Sequence, residues 1–207
     1  MNDTILSVKN LSVIFPNRQG DFSPVDNISF DVKRGEILGF VGESGAGKSM
    51  TGSAVIGLID PPGYIGKGEI WLEDIRIDKL PIGKANQVRG NRISMIFQDP
   101  ISSLNPLKKI GNQLIETIMT HLPLNKKQAK LKALKCLEEV GIDFERFNAY
   151  PHQFSGGMRQ RVVIALALSS EPDLIIADEP TTALDVTVQE QVLKILKNIC
   201  KKHNASV

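Results

Sequence analysis

The stretch "GEILGFVGESGAGKSM", residues 35–50, joins an apolar run to a glycine-rich loop. The run "EILGFV" ends at a glycine, which predicts a buried parallel strand feeding a helix. Residues 42–49, "GESGAGKS", match G-x-x-x-x-G-K-[ST]. Residues 48–59 then predict a helix, stopped at Pro61-Pro62-Gly63. In that order of elements, Gly42, Gly45 and Gly47 let the backbone fold tightly round an anion. The neighbourhood of Ser44, Gly45, Ala46, Gly47, Lys48, Ser49 and Met50 turns amides toward phosphate oxygens, helped by the helix dipole. Lys48 is placed to reach β- and γ-phosphates, and the Ser49 hydroxyl to ligate Mg²⁺. The competing reading is a chance glycine-rich turn, against which the strand–loop–helix context weighs.

Working outward, residues 4–15 and 25–41 read as short strands, with β-branched and alternating apolar positions in "TILSVKNLSVIF". "GEIWLEDIRI" predicts a further strand pair, and "RISMIFQDP" a strand broken at Pro100. From about residue 101 to 158 lysine becomes frequent and helical spacing replaces strand patterning. Leu131, Leu134, Leu137 and Val140 recur every three residues ahead of Gly141, a C-terminal cap. This segment reads as a helical subdomain inserted into an α/β core. The core resumes at Arg159 with a helix, the strand "DLIIAD", and a last helix with Val188, Val192, Ile195, Leu196 and Ile199 on one face.

Two acids close that strand. Adjacent strand residues face opposite ways, so Asp178 is suited to Mg²⁺ and Glu179 to a water near a γ-phosphate. Alone, the pair also fits two acids where a strand meets solvent; the phosphate loop favours the catalytic reading. Gln98 closes "ISMIFQ", where a neutral amide can address both metal and water, or simply end a strand. Ser155-Gly156-Gly157 precedes the helix that starts near Met158. A hydroxyl, two unhindered glycine amides and a helix N-terminus make a second anion site, or a simple helix cap. The first loop already surrounds one nucleotide, so a second site is useful toward the γ-phosphate held by another copy.

Composition sets bounds. The 207 residues are 42% hydrophobic and 23% charged, with a net charge of +2, an ordinary globular balance without a nucleic-acid footprint. The longest apolar run, Val162–Leu168, is far short of the about 20 residues of a membrane span. "MNDTILSVKN" lacks the pattern of a signal peptide. Cys136 and Cys200 sit far apart among aliphatic residues and read as reduced core thiols. His121 and His152 read as surface or capping residues, Trp71 as sheet core, and the lysines of 126–135 as a solvated face.

Taken together, these motifs resemble the nucleotide-binding domains of ATP-binding-cassette proteins. The matching residues are "GESGAGKS" (Walker A), Gln98 (Q-loop), "FSGGMRQR" at 154–161 (signature), "LIIADEP" at 174–180 (Walker B) and "ALD" at 183–185 (D-loop). The resemblance covers nearly the whole chain. It implies an α/β P-loop NTPase with a RecA-like core, an N-terminal antiparallel β subdomain and an inserted α-helical subdomain. The core with its β subdomain is expected over 1–100 and 159–207, and the helical signature subdomain over 101–158. The implied cofactors are ATP and Mg²⁺, with Ser49, Gln98 and Asp178 at the metal. Glu179, Gln98 and Lys48 take the catalytic roles, and Asp185 is the D-loop acid as well as a candidate helix cap. Phe15 aligns with the family's adenine-stacking aromatic, with core packing as the alternative.

Within the family, "IFQDPISSLNP" and "ADEPTTALDVTVQ" look like importers of oligopeptides, dipeptides and nickel. The resemblance implies an ATP-hydrolysing importer subunit on the cytoplasmic face of the cell membrane. Its implied partners are a second ATPase subunit packed head to tail, transmembrane permeases and an extracellular or periplasmic substrate-binding protein, without nucleic acid. Peptides are the expected cargo, nickel or another metal the alternative. A soluble cassette ATPase acting on DNA or ribosomes is the other reading; residues 99–154, between Q-loop and signature, hold no sustained heptads of the kind DNA-repair relatives place there. Two departures stand out. Phe154 and Met158 replace the wider family's Leu and Gln. The family's switch histidine lies after a strand that would begin at "KKHNASV", where this sequence stops, so the chain is read as truncated, able to bind nucleotide but weak in hydrolysis.

Overall fold

The computed structural model describes residues 3–18, 20–182 and 184–207. Two compact units emerge, Met1–Arg89 with Ser206–Val207, and Gly90–Ala205.

The first unit is built on an antiparallel sheet of β1 (Thr4–Phe15), β2 (Phe22–Lys33), β3 (Tyr64–Leu72) and β4 (Ile75–Arg76), in the order β2-β1-β3-β4. β1 is central because its apolar positions are dense: Ile5, Val8, Leu11 and Val13 are fully buried. Strict alternation fails at Lys9-Asn10, where both residues are exposed and the register with β2 shifts. Asn10 there has φ 49°, a left-handed conformation that asparagine tolerates. The hydroxyl of buried Ser12 donates to Asp26 and accepts from the Asn27 amide, so the break leaves it paired. Helix α1 (Lys48–Ile56) follows the glycine loop, and a short α2 (Ile82–Val88) closes the unit.

Two expectations change here. α1 stops at Ile56, three residues before the expected end, because Gly57 takes the left-handed C-cap at φ 71°. The run 36–41 forms no regular strand. It pairs with Val207, whose amide donates to the Glu36 carbonyl and whose carbonyl accepts from the Leu38 amide, the pattern of a parallel pair. Ile37, Phe40 and Val41 are exposed. A strand is held by its ladder, and so short a pairing leaves the run 36–41 without a regular pleat.

The second unit holds a parallel pair, β5 (Ile93–Ile96) and β6 (Leu174–Ala177), with Ile93 opposite Leu174 and Ile96 opposite Ala177. Helices α3 (Ile110–His121), α4 (Lys126–Glu139), α5 (Gly156–Leu168) and α6 (Val186–His203) complete it. Their core is aliphatic: Ile110, Leu114, Ile118, Leu137, Ile164 and Val192 are fully buried. α4 begins with a reciprocal capping box between Asn125 and Gln128. Its buried face is Ala129, Ala133, Cys136 and Leu137, with Val140 just beyond, whereas Leu131 is 64% exposed. The three-residue spacing expected from the leucines drifts off a face that repeats every 3.6 residues, and small Ala and Cys side chains fill the contact instead. Along α6, Val192, Leu196 and Cys200 are buried, Val188 and Ile195 half-buried, and the Ile199 side chain lies outside the described positions. Both cysteines are free and buried, and burial pushes each thiol up to about 11.

Candidate functional site

In the first unit the glycine loop closes on itself. Gly45 and Gly47 have φ of 83° and 84°. A Cβ on Gly47 would stand 2.3 Å from the Pro24 carbonyl oxygen, so this position needs glycine both for conformation and for room. Lys48 Nζ donates to the carbonyls of Gly42 (2.8 Å) and Glu43 (2.9 Å), drawing the ammonium across the loop. Ser49 and Met50 lie in the first turn of α1. The opening N–H groups of a helix lack intrahelical acceptors and carry the positive end of its dipole. No acid occupies that first turn. The result is an amide-rich loop crossed by one ammonium, suited to phosphate oxygens. Phe15, at the end of β1, is half-buried with its ring against Gly63.

In the second unit, parallel register decides which residues meet. Ile96 opposite Ala177 puts the carboxyl ends of β5 and β6 at one edge, and the Asp178 amide extends the ladder to the Ile96 carbonyl. Gln98 and Glu179 each lie two residues beyond that pair, and Gln98 Nε2 donates to Glu179 Oε2 at 2.9 Å. The amide oxygen of Gln98 is a hard donor of the kind Mg²⁺ takes, as is the Asp178 carboxylate. Asp99 then turns the chain: its carboxylate accepts from the Ile101 and Ser102 amides, and its carbonyl from the Ser102 and Ser103 hydroxyls. The Ile101 amide is the main reason the Asp99 carboxyl is held below its ordinary value.

Ser155 is the N-cap of α5, its hydroxyl oxygen accepting from the Met158 amide at 3.3 Å. The cap is therefore formed, and its hydroxyl proton can still be donated outward. Gly156, Gly157, Asp185 and Arg161 line a cleft of about 480 Å³ beside it, within the usual range of ligand clefts. Phe154 is buried, so the aromatic does the anchoring work of an apolar residue ahead of the cap. Gly157 faces Val188: a Cβ there would come within 2.5 Å of Val188 Cγ1, whereas one on Gly156 would meet only Leu184 at 3.6 Å. Asp185 occupies the N-cap position of α6, but its side chain makes no capping bond. Ala183 of the "ALD" segment lies outside the described residues.

Other expectations are placed plainly. Trp71 is half-buried with its indole N–H donating to Glu69, not sheet core. His152 stacks on Tyr150. Burial lowers His121, which borders a cleft between Asn105 and Thr120. Sequence reasoning missed Thr182 and Gln189. Thr182 donates to Glu179 Oε2, and Gln189 braces the turn between β6 and α6. The only prior signal was a hydroxyl three residues after the acid.

A phosphate-binding loop ahead of a helix, two acids ending a parallel strand, and a second capped glycine pair define a cassette-type P-loop ATPase fold. The family model of ABC transporters matches residues 25–182, and the chain belongs to that family. It is 48% identical over 206 residues to the oligopeptide transport ATP-binding protein OppD of Bacillus subtilis, covering 98% of this chain and 58% of that protein. It is 47% identical to the dipeptide transport ATP-binding protein DppD of the same organism, covering 99% of this chain and 62% of that one. The chain thus spans about three fifths of the length of these relatives. Among solved structures, the dimeric ATP-binding cassette MJ0796, in a post-hydrolysis state bound to ADP and Pi, superposes with a TM-score of 0.86 at 26% identity, covering 98% of this chain and 85% of that one.

Proposed function

We propose that this chain is the ATP-binding and ATP-hydrolysing part of an importer for di- and oligopeptides. The observation that carries the reading is the capped start of α5, where Ser155, Gly156 and Gly157 face a cleft, in a chain that already has its own phosphate loop. One nucleotide needs one such loop; a second anion-binding helix start serves the nucleotide of another copy.

In the first unit, Lys48 and the amides of Gly45 to Met50 hold the phosphates, and Phe15 stacks on the adenine. When phosphates arrive, Lys48 exchanges two carbonyl acceptors for anionic ones, which are stronger partners. Ser49, Gln98 and Asp178 are the residues that would hold Mg²⁺, an all-oxygen donor set that suits it. Held there, Mg²⁺ would supply charge neutralisation for phosphoryl transfer. Glu179 orients and deprotonates the attacking water. Ser155–Gly157 and the Asp185 loop address the nucleotide of the second subunit. The helical segment 101–158 passes the motion to a permease docked near Gln98, on the cytoplasmic face of the membrane, and a substrate-binding protein delivers the cargo. Among the described residues no helix is long and apolar enough to cross a membrane.

Support for peptide cargo over nickel, and for transport over a soluble ATPase role, comes from the oligopeptide and dipeptide names of the relatives. The test is phosphate release from the reconstituted transporter with its binding protein. Stimulation by peptide is the expected result. Stimulation by nickel alone, or none by any cargo, would overturn the peptide assignment.

A further inference from the structure

Glu179 has φ 44°, a left-handed conformation that is uncommon for a residue other than glycine, asparagine or aspartate. Thr182 supplies two of the constraints. Its amide donates to the Glu179 carbonyl at 3.2 Å, and its hydroxyl donates to Glu179 Oε2 at 3.0 Å. The same carboxylate oxygen accepts from Gln98 Nε2 at 2.9 Å. The turn itself is held by Gln189, whose Nε2 spends its two hydrogens on the carbonyls of Thr181 (3.1 Å) and Leu184 (2.9 Å). Thr182 therefore sits between two anchored carbonyls, and its hydroxyl is delivered to one chosen oxygen of a side chain with three rotatable bonds.

The two donors differ in origin. Gln98 comes from the segment after β5, far from Glu179 in sequence, so its contact depends on the placement of that segment. Thr182 belongs to the same turn as Glu179 and moves with it. We propose that Thr182 is a positioning residue for Glu179, holding the carboxylate in its working rotamer while Gln98 engages and releases. This rests on the reading of Glu179 as the group that activates water. Loss of the hydroxyl leaves nucleotide binding intact and misdirects the base, so the effect falls on kcat and not on KM.

The experiment measures steady-state ATP hydrolysis by the assembled transporter carrying Thr182→Val, Thr182→Ser or Glu179→Gln, with thermal melts as a folding check. Valine keeps the shape and removes the donor; serine restores it. The expected result is a kcat about tenfold lower in Thr182→Val with KM for ATP unchanged, recovery of most of the rate in Thr182→Ser, and near-complete loss in Glu179→Gln. Wild-type kcat in Thr182→Val, a change confined to KM, or a serine variant as slow as the valine one would overturn the role of Thr182 while Glu179→Gln stays inactive. Full turnover by Glu179→Gln would overturn the base assignment itself, and this inference with it.

Discussion

Gln98 and Glu179, 81 residues apart in sequence, meet through a 2.9 Å hydrogen bond at the carboxyl end of the β5–β6 pair. A neutral amide there donates to the carboxylate and keeps its own oxygen for another partner. One side chain is thereby suited to sense both metal and base.

Replacing Glu179 by Gln should keep both nucleotide grips and remove the base. The expected outcome is an ATP-bound pair of subunits that persists in size exclusion and releases phosphate at least ~100-fold more slowly. Adding Gly156→Asp should prevent the trapped pair, because a carboxylate then stands at the anion-binding helix start. Gly156 is the better probe than Gly157, where any side chain first collides with Val188. A trapped pair that survives Gly156→Asp would count against the second-copy reading.

Lys48→Ala should weaken nucleotide binding by about 10–100-fold, the loss of a charge-assisted contact to phosphate. Titration with a fluorescent ATP analogue reads this directly. Lys48→Arg should fail to restore full affinity, since the longer planar group does not match the two carbonyls of Gly42 and Glu43 that set the lysine's path. Equal affinity in wild type and Lys48→Ala would remove Lys48 from the site.

The second unit should lose stability in acid. Partial burial tends to raise the Glu139 carboxyl, but hydrogen bonds from Lys202 and His203 outweigh it and hold the group below its ordinary 4.5. The contact with Lys132 does the same for Glu171. A carboxylate depressed in the folded state contributes stability that is complete above 4.5 and is lost as pH falls through its folded value. Wild type should therefore melt higher than Glu139→Gln at pH 7, with the gap narrowing as the pH falls below 4.5. A gap that persists unchanged to low pH would show that Glu139 acts through packing.

Thiol labelling should be slow in the native chain. With both thiols pushed up to about 11, only about one molecule in ten thousand carries a given thiolate at pH 7. Iodoacetamide at neutral pH should leave Cys136 and Cys200 unmodified over times that fully label the unfolded chain, as read by mass spectrometry. Rapid labelling of either native cysteine would place it at an open surface.

The phosphate loop was legible in the sequence because its chemistry is local: glycines, lysine and serine occupy consecutive positions, and the backbone conformation they need follows from their own side chains. The same holds for the cap at Ser155 and the hairpin of β3 and β4. The parallel pairing of β5 with β6 is different in kind. It joins segments separated by the three helices α3, α4 and α5, and a shift of one residue would send Gln98 and Glu179 to opposite faces. Packing chose the rest: the Ala129–Ala133–Cys136 face of α4 over its leucine spacing, the contact of Gly157 with Val188, and the irregular backbone of 36–41, whose apolar pattern alone asked for a strand. Side-chain type sets what a segment prefers, but the partner across the ladder decides whether that preference is met, and that partner exists only once the chain has folded.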